Sequence, residues 1–260
     1  MSQKFRHEVA VDILIRGWNN LDLTRKCLAS IQGNTEGVKY RITYVDNGSE
    51  DKEALLKLIE DYPEVQFITL PFNHGSVRAI NIGLAMSWLS EAPYILLLDN
   101  DTEVPAGDTK WLERFITYFD DEQVGAAGAM TDYVSGFQNY ASAVPTYQKA
   151  WQVDGEGAGM KGPVPVSVLV SYAMMLRKEA VEQVGFFDEV YEPGNSEDYD
   201  YVLQLRDAGW KAVIANSVWI HHKGSQTFKQ FNFKSLLETN HDKMIQKWGI
   251  PKLKEMGLIQ

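Results

Sequence analysis

The sequence predicts an α/β fold with a mostly parallel central sheet, and three observations predict it. Apolar runs of strand length alternate with amphipathic stretches at helical spacing through the first 125 residues, the pattern of strands joined by right-handed crossovers. The run from Tyr94 to Leu98 is apolar throughout, as suits a parallel strand covered on both faces. Two runs stop at acidic turns, Asp46-Asn47-Gly48-Ser49 and Asp99-Asn100-Asp101, and open α/β sheets bind ligands beyond such strand ends.

Each element follows from its own spacing. Residues 9–15 predict a strand, and 19–30 a helix with Leu21, Leu28 and Ile31 at helical spacing. Residues 41–45 predict a second strand. The stretch 51–62 carries Leu55, Leu58, Ile59 and Tyr62, an i, i+3, i+4, i+7 stripe. Residues 65–70 predict a third strand, 76–89 a third helix with Val77, Ile80, Leu84 and Trp88 on one face, and 94–98 a fourth strand. The second half is less regular. Residues 109–119 read as helix, 124–130 and 165–176 as strands, and 199–208 and 233–248 as helices.

Between two of those strands, residues 131–163 are polar, aromatic and glycine-rich, with Gly155, Gly157, Gly159 and Gly162 close together. A loop this long is either without fixed structure or a lid over an acceptor site. Its Tyr133, Phe137, Tyr140, Tyr147 and Trp151 could stack on a ligand ring or form a small core. No repeat and no Pro- or Ser-rich linker divides the chain, so 1–260 reads as one domain.

Composition bounds the function. With 260 residues, 45% hydrophobic and 23% charged, the chain can bury a large core, which excludes disorder, collagen-like repeats and coiled coil as overall descriptions. A net charge of −10 disfavours a broad nucleic-acid footprint. Cys27 is the one cysteine, so a thiolate zinc site and an internal disulfide are excluded, which suits a reducing compartment. The charged start has no apolar leader and no run approaches a membrane span. The expected location is therefore cytoplasmic, or peripheral at the inner face of the membrane. There is no Gly-x-Gly-x-x-Gly fingerprint, no Walker A run and no Gly-x-Ser-x-Gly elbow.

Five features carry chemistry. Asp99 and Asp101 offer two carboxylates one residue apart at a strand end, a pattern that can hold a hard divalent cation. Asp46 can accept hydrogen bonds from a nucleobase or ribose, or close an Asx-turn. Asn73 and Gly75 precede a helix start suited to anions, with Arg78 and Asn81 a turn later. The ordinary alternative there is a capped helix with Asn81 bonded to a loop. Glu197-Asp198 opens a helix, as a general base toward a hydroxyl or as acidic residues favoured at a helix N-terminus. His221-His222 offers an imidazole to Mn²⁺ or a similar ion.

In this order the five resemble the family 2 glycosyltransferases, inverting enzymes of the GT-A fold, over about residues 9–228. Trp18-Asn19-Asn20 and Cys27-Leu28-Ala29-Ser30-Ile31 look like the family's start. Val45-Asp46-Asn47-Gly48-Ser49 resembles its nucleoside-binding turn, the 73–83 segment its Asn-x-Gly blocks, and Leu98-Asp99-Asn100-Asp101 its Asp-x-Asp motif. Val184-Gly185-Phe186-Phe187-Asp188-Glu189 and Glu197-Asp198-Tyr199-Asp200 resemble the block that supplies the base. The resemblance implies a donor half over about 1–105 and an acceptor half over about 106–260. It implies a nucleotide-diphosphate sugar donor, linked to UDP, dTDP or GDP, and a glycan, glycoconjugate or other hydroxyl acceptor. Asp46 would contact base or ribose. Asn73, Gly75, Arg78, Asn81, Asn100 and Glu197 would line the substrate. Asp99 would meet the ribose, or a Mn²⁺ or Mg²⁺ ion through water. Asp101 and His222 would ligate that ion, with His221 the alternative, and Asp198 would deprotonate the acceptor. Two departures stand out. Arg16-Gly17-Trp18 replaces a common proline, and Asn100 occupies the middle of the acidic motif. A non-catalytic sugar-binding module and a nucleotidyltransferase are the competing classes.

Overall fold

The computed structural model describes residues 9–131, 138, 163–224 and 233–258. Four strands open the chain: β1 (Val11–Gly17), β2 (Tyr40–Asp46), β3 (Gln66–Thr69) and β4 (Tyr94–Asp99). They run parallel in the order β3-β2-β1-β4. Their crossovers are α1 (Leu21–Gly33), α2 (Lys52–Asp61) and α3 (Ser76–Trp88). Side chains alternate across the sheet. Ile13 and Ile15 therefore face α1, α2 and the later α4 (Trp111–Thr117), while Leu14 faces α3. The result is a sheet with a hydrophobic core on each side.

The sheet continues as β4-β8-β6-β9-β7. Here β6 is Val124–Met130, β7 Val164–Pro165, β8 Ala173–Arg177 and β9 Lys211–Trp219. Strands β6 and β9 are parallel to each other, and β8 runs antiparallel between β4 and β6. The second face carries α5 (Lys178–Val184), α6 (Glu197–Asp207), α7 (Phe233–Trp248) and α8 (Ile250–Glu255). Buried Val181, Tyr201, Leu205, Met244 and Leu253 pack these helices into one core with α3. A second, two-stranded sheet pairs β5 (Thr102–Glu103) with β10 (His221–His222).

Three sequence expectations need correction. The strand expected over 165–176 is two strands, because residues 166–172 cross the strand ends and lay Ser171 and Tyr172 in the site described below. Strand β9 escaped the reading because Asn216 and Ser217 interrupt its apolar run. Tyr118 answers that polarity from outside the sheet, its hydroxyl donating to Asn216 and accepting from the Ser217 N–H. Trp88 does not join the buried stripe of Val77, Ile80 and Leu84; it is half-exposed against Phe186. The glycine cluster at 155–162 and the five loop aromatics lie outside the described residues.

Candidate active site

Strand ends assemble the site. Arg16 and Asp99 are register partners at the carboxyl ends of β1 and β4, so their side chains share a face. Asp99 ends β4, the chain turns, and β5 begins at Thr102. Pairing of His222 with Thr102 then brings the far end of the chain onto that turn. Of the two histidines on β10, His222 joins Asp99 and Asp101 in a group whose donor atoms lie within 4.8 Å of one another. His222 Nε2 is 3.3 Å from Asp101 Oδ1 and 3.6 Å from Asp99 Oδ2. The imidazole lies flat on Tyr172, with ring centres 4.8 Å apart. Tyr172 is itself fixed by a 2.6 Å hydrogen bond from its hydroxyl to the Ala129 carbonyl. Two carboxylate oxygens and one imidazole nitrogen are the donor set of a hard or borderline divalent ion.

Asp198 sits in the first turn of α6 and is buried. Its two oxygens accept from the Ser171 N–H at 3.2 Å and the Tyr199 N–H at 2.8 Å. Burial raises its pKa to about 6, opposed by those two N–H groups and by Arg16. Glu197 beside it is also buried, and its Oε2 has no hydrogen-bond partner among the described residues. Burial first, then the neighbouring Asp198, lift its pKa to about 8. Burial thus pushes both neighbouring carboxyls upward, and Glu197 gains a further push from Asp198, so the two environments differ as those of an acid and base pair do.

The preceding residues Asn195 and Ser196 both hold positive φ, 78° and 72°. Such backbone persists only where its surroundings impose it. Asn240 on α7 does so: its side-chain N–H groups donate to the carbonyls of Tyr191, Gly194 and Asn195 at 3.3, 3.0 and 2.7 Å. Below it, the buried Asp200 accepts from Lys247 at 2.8 Å and Trp248 at 2.6 Å.

Other anticipated substrate residues have partners within the fold. Asp46 is fully buried, and its carboxylate accepts from the backbone N–H and the hydroxyl of Ser49, the Asx-turn alternative. Asn73 Oδ1 accepts from Asn47 Nδ2 and the Gly75 N–H at 2.9 and 2.8 Å. The Glu192 carboxylate covers the N-terminus of α3, accepting from the Arg78 N–H at 2.7 Å. The Arg78 guanidinium pairs with Glu189 at 2.7 Å. Asn81 exchanges two 2.9 Å bonds with the backbone of Phe187. These residues tie the 187–193 segment to α3. Asn100 donates to Thr24 Oγ1 at 2.9 Å, away from the Asp99–Asp101 pair. Sequence reasoning passed over Ser171 and Tyr172, because a serine and a tyrosine in an apolar run carry no local signal.

Comparison with solved structures defines the fold. GalNAc-T7, solved with UDP, GalNAc and Mn²⁺, superposes with a TM-score of 0.70 over 92% of this chain and 48% of its own, at 13% identity. The mannosyltransferase PcManGT from Pyrobaculum calidifontis, in complex with GDP-Man and Mn²⁺, gives 0.63 over 96% of this chain and 74% of its own, at 15% identity. Strand order, crossovers and these neighbours make this a glycosyltransferase fold of the GT-A type. Residues 12–185 match Glycosyl transferase family 2, and the chain belongs to that family. Among curated relatives, the O-antigen biosynthesis protein RfbC of Myxococcus xanthus is 25% identical over 83% of this chain and 17% of its own length. The pre-mycofactocin glycosyltransferase of Mycobacterium tuberculosis is 27% identical over 78% of this chain and 40% of its own. The chain spans less than half the length of these relatives.

Proposed function

We infer that the chain is an inverting, metal-dependent glycosyltransferase that moves a hexosyl or deoxyhexosyl unit from a nucleoside diphosphate sugar to an acceptor hydroxyl. The observation that carries this reading is the Asp99–Asp101–His222 donor cluster, with a buried Asp198 linked to the same strand ends through Ser171 and Arg16. Asp101 and His222 would hold Mn²⁺ or Mg²⁺, and Asp99 would meet the ion through water or the ribose. Held there, such an ion would supply positive charge to offset the charge developing on the departing diphosphate.

The chain's own residues do the rest. Asp198 accepts the acceptor's proton as the hydroxyl oxygen attacks the anomeric carbon. A single displacement from the opposite side inverts the configuration, and the nucleoside diphosphate leaves. Positioning is worth up to about 7–11 kcal/mol in such reactions, and a general base about 10²–10⁴-fold. Asp46 supports the donor by shaping its turn. Mn²⁺ with GDP-Man or UDP in the structural neighbours supports this donor chemistry. The relative named for O-antigen biosynthesis supports a glycan acceptor and polysaccharide assembly. No helix among the described residues is long and apolar enough to cross a membrane.

Thermal unfolding with UDP, dTDP and GDP, each with Mn²⁺ and with EDTA, tests the donor site. A ligand at 100 times its Kd adds about 2.7 kcal/mol to native stability. A shift for one nucleotide that needs Mn²⁺ and vanishes in Asp101→Ala is the expected outcome. No shift with any nucleotide would refute a preformed donor site.

A further inference from the structure

Arg16 is a cation placed beside three carboxylates, those of Asp99, Glu197 and Asp198. It stands at the end of β1, and its side chain is only 14% exposed. Its three contacts reach three parts of the site. Nη2 pairs with Asp99 Oδ1 at 2.9 Å, so the other oxygen, Oδ2, is the one turned toward His222. The same Nη2 donates to Ser171 Oγ at 3.2 Å, and the Ser171 N–H donates in turn to Asp198. Nε donates to Ser76 Oγ at 3.1 Å, at the first turn of α3. One planar guanidinium thus touches Asp99 of the donor cluster, Ser171 beside the base and the first turn of α3, a spread of contacts that suits its fork of donors better than the point charge of lysine.

We propose that Arg16 is a positioning residue for sugar transfer, holding Asp99 with one oxygen toward the ion cluster and, through Ser171, holding the base Asp198 in register with it. This rests on the transferase reading above. Arg16 also opposes the rise in the pKa of both Glu197 and Asp198, so its charge favours an ionised base as well as fixing it.

The test compares wild type, Arg16→Met, Arg16→Lys and Ser171→Ala. Turnover is read as nucleoside diphosphate release, and Mn²⁺ binding in the presence of that nucleoside diphosphate by electron paramagnetic resonance. A misplacement of about 1 Å in a reacting group can cost about 10²-fold. Arg16→Met should therefore lose about 10²-fold in kcat while donor KM and Mn²⁺ affinity stay within about threefold. Arg16→Lys should recover part of the loss. Ser171→Ala keeps the backbone N–H that reaches Asp198 and leaves Asp99 untouched, so it decides the matter if Arg16→Met does not fold. It should lower kcat about threefold to tenfold at unchanged KM. Full kcat in Arg16→Met, or in Ser171→Ala where Arg16→Met does not fold, overturns the proposal. So does a loss confined to KM and Mn²⁺ affinity, which would make Arg16 a donor ligand. Wild type that releases no nucleoside diphosphate from any donor would instead overturn the transferase reading.

Discussion

Glu197→Gln should stabilise the protein in alkaline solution, because it replaces a buried carboxyl that resists ionisation. The group's ordinary pKa of 4.5 is raised to about 8, chiefly by burial. A raised value means that the folded state holds the proton more tightly than the unfolded chain. The stabilising contribution is therefore fully present below 4.5 and is lost as pH rises through about 8. At about 1.4 kcal/mol per tenfold, that shift corresponds to about 5 kcal/mol by pH 9. Glutamine carries no charge to desolvate, and its buried amide costs about 1–3 kcal/mol at every pH alike. The stability of the variant relative to wild type should thus rise by about 3–5 kcal/mol between pH 5 and pH 9. Urea unfolding at both pH values, followed by tryptophan fluorescence, measures this. A difference that is the same at both to within about 1 kcal/mol would refute the account of Glu197 as a buried, protonated acid.

Three further outcomes follow from the same geometry. Because burial lifts Asp198 to about 6, kcat should climb as pH rises through that value; a profile flat from pH 5 to 8 would count against Asp198 as the base. Gly75→Ala should cost about 2–4 kcal/mol in urea unfolding, since φ at Gly75 is 94° and a Cβ there would run into the Glu192 carboxylate that covers α3; a loss below about 0.5 would show that the segment yields freely. Asn240→Ala should lose about 2–4 kcal/mol by taking the side-chain donor from the Gly194 and Asn195 carbonyls, and should lower kcat by loosening the Asn195-Ser196 turn; unchanged kcat would detach α7 from the base loop.

The parallel half was legible because local and global signals agree there. Periodicity in 51–62 and the apolar run at 94–98 report a packed helix and a strand covered on both faces, as found. The second half was less legible because its determinants are distant in sequence. Nothing near Asn216 says that Tyr118 will satisfy it, and nothing near residue 170 says that the chain must detour to Asp198. Within the site, Asp99, Asp101 and His222 stood out singly, yet only the β5–β10 pairing brings them together and separates His222 from His221. Asp46, Arg78 and Asn81 have partners within the fold, and a turn or helix start of polar residues reads alike whether it serves a substrate, its own fold or both. Arg16 was visible as a departure, but its contacts with Ser76 and Ser171 lie 60 and 155 residues away.

The most direct measurement is nucleoside diphosphate release from a panel of nucleotide sugars, with Mn²⁺ and with EDTA, by wild type and Asp198→Asn. The account predicts metal-dependent release from one nucleotide class, lost by about 10²–10⁴-fold in Asp198→Asn while that variant still shows the Mn²⁺-dependent thermal shift with the matching nucleotide. Undiminished release by Asp198→Asn, or release by wild type that survives EDTA, would contradict it.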